Sequence, residues 1–168
     1  MHLRYDAMAS AALIVAEIEN IAHRNPPNGL GTVGFMEVYP NSRNTIPGTV
    51  KFSADLRNPD PDVLKGMDDQ LQNFCTQLAE KRRLDIDVDH FWYFEPVKFS
   101  ASENVKIAAQ KLGYSHMDIY AGAGHDACYM ADIVPSGMVF TPCKDGISHN
   151  EIESTTEEQC EAGCNVLM

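Results

Sequence analysis

From Gly31 to Asn58 the chain reads GTVGFMEVYPNSRNTIPGTVKFSADLRN. Two alternating runs flank a polar middle. In TVGFMEVYP, Val33 and Phe35 fall on one side, with Glu37 next in that row. In GTVKFSADLRN, Val50, Phe52, Ala54 and Leu56 share a face. A period of two marks half-buried strands, so the stretch predicts two strands of one sheet. The link NSRNTIPG, Asn41 to Gly48, is long and polar for a plain hairpin, which suggests a task besides reversing the chain.

Working outward, the residues before this stretch repeat apolar side chains at helical spacing: Ala7, Ala11, Ile14, Ile18 and Ile21. They predict an amphipathic helix from about Asp6 to His23, stopped by Asn25-Pro26-Pro27. On the other side, Asn58-Pro59-Asp60-Pro61-Asp62 combines a strand stop with acidic residues and a proline suited to a helix start. A helix over about Pro61 to Arg83 follows. RLDIDVDHFWYFEPV then alternates through Leu84, Ile86 and Val88 as a third strand, with half of its aromatics expected in a core. The order α-β-β-α-β is that of a ferredoxin-like split βαβ unit lacking its first strand. That gap points to a natural protein that begins earlier.

After residues 98 to 101 the rhythm changes. A helix over Ser102 to Leu112, short strands near Asp118-Ile119-Tyr120 and in GMVFTP, and a final helix in TTEEQCEAGCNVLM are α/β in character. They are too few to close a core alone. The expected organisation is a first domain over residues 1–100, incomplete at its N-terminus, and an incomplete segment of a second over residues 101–168.

Composition narrows the class. An apolar fraction of 44% supports a globular core, and a net charge of −11 disfavours nucleic acid and anionic membranes as partners. No apolar run is long enough to span a bilayer, and the start is no secretory signal, so a cytoplasmic protein is expected. Five cysteines without a CxxC pair read as free thiols rather than a disulfide framework or zinc site.

Three loops could carry chemistry. GAGHDA, Gly122 to Ala127, lets the backbone approach a ligand and sets His125-Asp126 at a helix start; it also reads as a plain turn with His125 as cap. DGISHNE, Asp145 to Glu151, presents His149 after an apolar run, with Ser148 or Asn150 beside it; the plain alternative is a surface histidine. NTIPG and DLRNPD hold Asn44 and Arg57. Arg57 can grip a carboxylate with two parallel hydrogen bonds, and Asn44 could reach the same ligand from the neighbouring strand; a solvated arginine is the plain alternative. The acid pair Asp68-Asp69 reads as a solvated helix face.

Together these loops resemble the N-carbamoyl-L-amino-acid hydrolases, beta-ureidopropionases and allantoate amidohydrolases. MHLRYDA at Met1 to Ala7 looks like the tail of that family's HAGTTPM-x-x-R-x-DA run. Gly31 to Gly48 matches its GxVG…N-x-IPG segment, Asp55 to Asn58 its D-x-RN, Gly122 to Ala127 its GAGHDA, and Gly146 to Asn150 its GISHN. The resemblance implies a ferredoxin-like α+β lid and dimerisation domain followed by the C-terminal part of an α/β metal-hydrolase catalytic domain. It further implies two divalent metal ions (Zn, Mn, Co or Ni) in the full-length enzyme and a small carboxylate substrate bound by a homodimer formed through the lid. Asn44, Arg57, Gly124 and His125 would contact substrate, and His149 would be the one metal ligand present. In that family a Glu-deprotonated bridging water attacks the carbamoyl or amidine carbon. The resemblance places that Glu and the other ligands upstream of Met1, so the chain alone is expected to be inactive. A non-catalytic dimerisation module, and a peptidase or deacylase of the same superfamily, are the rival readings.

Overall fold

A computed structural model describes residues 1–168, which form two compact units, Met1–Pro96 and Val97–Met168.

In the first unit, helix α1 spans Ala7–Arg24 and helix α2 spans Pro61–Arg82. Asp6 caps α1 by accepting from the Ala9 amide, and Asp60 caps α2 by accepting from Asp62 and Val63. These acceptors satisfy amides that have no partner within the helix. The apolar stripe of α1, Ile14, Ile18 and Ile21, meets that of α2, Met67, Leu71, Cys75 and Leu78. Ile18, Ile21 and Met67 lose essentially all contact with water.

Four short strands cover this helix pair: β1 Leu30–Thr32, β2 Met36–Tyr39, β3 Thr49–Phe52 and β4 Asp55–Arg57. β1 pairs antiparallel with β4, Thr32 opposite Asp55, and β2 pairs antiparallel with β3, Met36 opposite Phe52. The two expected strands are thus one hairpin ribbon with a defect in its middle. Three residues, Val33 to Phe35, face two, Ser53 and Ala54, which is the count of a β-bulge. The Ser53 amide bridges the gap to the Phe35 carbonyl at 3.1 Å. Val33, Phe52 and Leu56 pack on the helices. Gly31 runs so close to α1 that a Cβ there would lie 2.8 Å from the Ile18 carbonyl oxygen. This is where the sequence requires glycine.

The expected third strand is absent. Residues 84–98 carry no strand, although Leu84 and Ile86 are half-buried and Ile86 reaches the core. Alternation brings one side chain inward, but a strand also needs a ladder partner, and no segment supplies one here. Beyond Ile86 the aromatics turn outward: Phe91, Trp92 and Tyr93 are 78%, 68% and 66% exposed, with Trp92 stacked on Phe94. The expectation that half of them enter a core is therefore corrected. A complete ferredoxin-like sheet is not formed by these residues. Nor is Asp68 merely solvated, since its Oδ1 lies 2.9 Å from His90 Nε2 and ties this segment to α2.

The second unit consists of helix α3 Ser102–Lys111, the short helix α4 Ala127–Ala131 and helix α5 Glu157–Leu167, with a 3₁₀ turn at Lys144–Gly146. Asn165 Nδ2 donates to the Tyr114 hydroxyl at 3.0 Å, joining α5 to the segment that follows α3. The strands expected at Asp118–Tyr120 and in GMVFTP do not form. Residues 137–141 instead lie against the helices: a Cβ on Gly137 would meet Val105, and one on Gly163 would meet Thr141 at 2.7 Å. Extended backbone laid over helices has no ladder to join. No helix of the chain is long and apolar enough to cross a membrane.

Two measurements check this account of the first unit. Ile21→Ala should lower its unfolding free energy by roughly 2–5 kcal/mol through a core cavity, and Asp60→Ala by about 1 kcal/mol through lost capping, read by denaturant titration. The His90 contact should be pH-dependent. Its hydrogen bond to the Asp68 carboxylate, then the charges of Asp68 and Asp89, raise the imidazole pKa against a small desolvation penalty. A raised folded pKa gives a contribution fully present below the unfolded value and lost as pH rises through the folded one. NMR titration of His90 should show a raised midpoint that falls back in Asp68→Asn; identical midpoints in the two proteins would mean that the contact does not form in solution.

Candidate functional site

The ribbon sets the geometry around Arg57. Leu56 faces the helices, so Asp55 and Arg57, two residues apart on β4, share the opposite face. Arg57 donates from Nε to Asp55 Oδ1 at 2.8 Å and from Nη2 to Asp55 Oδ2 at 2.7 Å. This is a bidentate, charge-assisted fork on a surface open to solvent. The hydrogen bond from Arg57, with its charge, holds the Asp55 carboxyl below the usual carboxylate range against a smaller opposing effect of burial. Sequence reasoning assigned Asp55 no role. Opposite charges at i and i+2 of one strand were the signal that could have found it.

Asn44 is elsewhere. It sits exposed in the loop between β2 and β3, where Ser42 Oγ donates to its Oδ1 at 3.3 Å. That loop closes the far end of the ribbon, and its Pro47 carbonyl accepts from the Ala7 amide at the start of α1. Arg57 belongs to the end where β1 passes Ile18 and Ala22, in the second half of α1. Eight residues of nearly extended chain separate Arg57 from Thr49, about 26 Å at 3.3 Å per residue. Within one copy of the chain the two do not meet on one small ligand. The expectation that Asn44 reaches the Arg57 ligand from the neighbouring strand is corrected accordingly.

In the second unit, Gly124 is exposed and a Cβ there would touch nothing. His125 Nδ1 accepts from the Ala127 amide at 3.0 Å at the start of α4. With Nδ1 used as an acceptor, the neutral ring carries its proton on Nε2 and presents a donor there. His149 lies in the left-handed region, at φ 56°, in a loop tied to itself. Its amide donates to Glu153 Oε2 at 2.8 Å, and its Nδ1 lies 2.9 Å from Ser148 Oγ. The other Glu153 oxygen accepts from Cys143 Sγ at 3.7 Å. Sequence reasoning foresaw Ser148 beside His149 but passed over Glu153, which no local pattern marks.

The chain's own donors do not compose a metal centre: no group of three or more His, Cys, Asp or Glu side chains is placed to hold an ion. His149 is suited to be a single ligand. When Nδ1–H donates to Ser148 Oγ, the Nε2 lone pair is the one presented to a cation. All five cysteines are unpaired thiols.

Comparison with known proteins identifies the family. The family described as Peptidase family M20/M25/M40 matches residues 7–168. An N-carbamoyl-L-amino-acid amidohydrolase of Rhizobium meliloti is 40% identical over 99% of this chain, which spans 41% of that relative. The allantoate amidohydrolase of Escherichia coli strain K12 is 35% identical over 81% of this chain and 34% of its own length. Among solved structures, a hydantoinase/carbamoylase family amidase from Burkholderia multivorans superposes with a TM-score of 0.92 at 46% identity, over 99% of this chain and 41% of that one. The chain therefore spans about two fifths of the length of the Rhizobium meliloti and Burkholderia multivorans proteins, and nearly all of it belongs to the M20/M25/M40 peptidase family.

Proposed function

We propose that the complete protein hydrolyses a linear amide or ureido C–N bond in a small carboxylate substrate: an N-carbamoyl-L-amino acid, 3-ureidopropionate or allantoate. The observation that carries this reading is 40% identity to an N-carbamoyl-L-amino-acid amidohydrolase along 99% of the chain. The Arg57 fork suits it chemically, because a planar, permanently charged guanidinium is the side chain best shaped to take a carboxylate. His125, with its Nε2 proton outward, is a donor for a substrate oxygen, and Gly124 leaves room for the ligand beside it. His149 would give one imidazole nitrogen to a centre of two divalent cations, whose remaining ligands lie outside these 168 residues. The general base lies outside them too, so the chain by itself would bind without turning over. The working compartment is the cytoplasm.

The distance between Asn44 and Arg57 adds a requirement. If both contact the substrate, as the family resemblance implies, they come from different copies of the chain. A homodimer formed through the first unit provides this arrangement, each copy lending its β2–β3 loop to the other's site.

In the complete enzyme, Arg57→Ala should lower kcat/KM for a carboxylate substrate by roughly 30-fold to several-thousand-fold, the equivalent of about 2–5 kcal/mol. Arg57→Lys should restore only part of the loss. His149→Ala should instead lower metal occupancy, with a defect partly offset by excess metal. Unchanged kcat/KM in Arg57→Ala would remove the carboxylate clamp from this residue. Co-expression of Asn44→Ala with Arg57→Ala tests the shared site. Mixed dimers hold one wholly intact site, so a random mixture should regain roughly a quarter of parental activity; no recovery would place both residues at a single copy's site or at none.

A further inference from the structure

We infer that Glu153 is the positioning residue of the histidine loop, holding the His149 backbone in the conformation from which its imidazole meets a divalent cation. The inference rests on the proposed role of His149 as one metal ligand and goes beyond it, to the residue that aims the ring. His149 has φ 56°, in the left-handed region, which is uncommon for a residue with a Cβ. Such a residue persists only where its surroundings hold it. Glu153 is the holder. Its Oε2 accepts from the His149 amide at 2.8 Å, a charge-assisted bond that fixes the plane of the Ser148–His149 peptide. The ring is anchored separately, with Nδ1 lying 2.9 Å from Ser148 Oγ. One contact sets where the side chain leaves the backbone, and the other sets how the ring turns about it.

The acid is itself tied to the base of the loop. Its Oε1 accepts from Cys143 Sγ at 3.7 Å, and beside that contact the Lys144 amide donates to the Ser154 carbonyl at 2.7 Å. These two bonds close the loop, so residues 143–144 and 153–154 run side by side and His149 stands toward the tip. A turn built on Asn150 brings Glu153 back. The Asn150 carbonyl accepts from the Glu153 amide at 3.0 Å, and the Asn150 Oδ1 accepts from the Ile152 amide at 3.2 Å. Glutamate suits this place because a carboxylate has one oxygen for each of two donors, Cys143 at the base and His149 at the tip. With both oxygens engaged within the loop, its route to the cation is through His149. Glu153 is exposed, so truncating it removes no core contact.

Positioning and simple charge are separable here. If Glu153 acted only as a nearby negative charge, Glu153→Gln and Glu153→Ala would weaken cation binding alike. As a positioning residue it can be replaced in part by glutamine, whose carbonyl oxygen still accepts from the His149 amide. The experiment is cobalt(II) titration of the metal-stripped complete protein, with bound metal counted after equilibrium dialysis and thermal unfolding of the metal-free protein measured alongside. Glu153→Ala should raise the cobalt(II) dissociation constant roughly 10–100-fold, the scale of loss when a partner that orients a metal ligand is removed. Glu153→Gln should recover most of that affinity, and the metal-free Tm of both variants should stay close to the parent's. In a His149→Ala background, Glu153→Ala should add no further loss. Equal losses in the alanine and glutamine variants would overturn the inference, as would a further loss in the His149→Ala background. So would a large fall in the metal-free Tm of Glu153→Ala, the mark of general structural damage. His149→Ala separates the two claims. If it leaves cobalt(II) binding unchanged, His149 is no ligand and the metal reading of the loop fails; if it weakens binding while Glu153→Ala does not, only the positioning role fails.

Discussion

The seam between α1 and α2 is the constraint on which the first unit depends. Ile14, Ile18 and Ile21 on one helix and Met67, Leu71, Cys75 and Leu78 on the other recur every three or four residues, so each helix presents one continuous apolar stripe. Burying one such side chain contributes about 1.5–3 kcal/mol. The seam outweighs the ribbon beside it, because a two-stranded hairpin is at best marginally stable without a surface to lie on. The ribbon borrows its order from the helices: Val33, Phe52 and Leu56 lie on them, and Gly31 approaches α1 until backbone meets backbone.

That dependence reaches the candidate site. Because Leu56 must face inward, Asp55 and Arg57 must face outward, and a one-residue slip of β4 would exchange them. The bulge at Val33–Phe35 shifts the pairing by one residue between the two halves of the ribbon. Phe52 and Leu56, four residues apart on the unbulged strand, keep to the helix side by alternation alone. A salt bridge as exposed as Arg57–Asp55 adds little to stability. It marks the outward face of a strand whose register the core enforces.

The sequence was most legible where structure is local. Both long helices appear in the apolar spacing and in the aspartates that cap them, within a residue or two of their observed ends. The strand pair was legible as alternation, but its division into four pieces was not, since a bulge is a fact about two strands at once. Residues 84–98, 118–120 and 137–141 alternate or run apolar, yet form no strand. Alternation records which side of a segment is wet; it cannot record whether a neighbour is present to complete the ladder. The separation of Asn44 from Arg57 is a different case. A loop at one end of a hairpin and a residue at the other end cannot converge, but the length of the Asn41–Gly48 link had pointed away from a plain hairpin, so the sequence alone did not expose the separation.

The histidine loops of the second unit carry the argument one step further. His125 uses Nδ1 to cap α4, and His149 rests its Nδ1 against Ser148 while Glu153 holds its backbone. In each ring one nitrogen is committed to the protein, which selects the chemistry of the other. A backbone N–H pointing at Nδ1 makes His125 a donor at Nε2. A hydroxyl, which can give or take a proton, allows His149 to be an acceptor there. Two histidines in glycine-containing loops thus differ in the nitrogen they leave exposed, a donor in His125 and, when Ser148 accepts from Nδ1, an acceptor in His149. Both rings lie exposed on their loops, so the proposed activity requires other groups to meet them there, and the pattern of hydrogen bonds at Nδ1 decides in advance what each could offer.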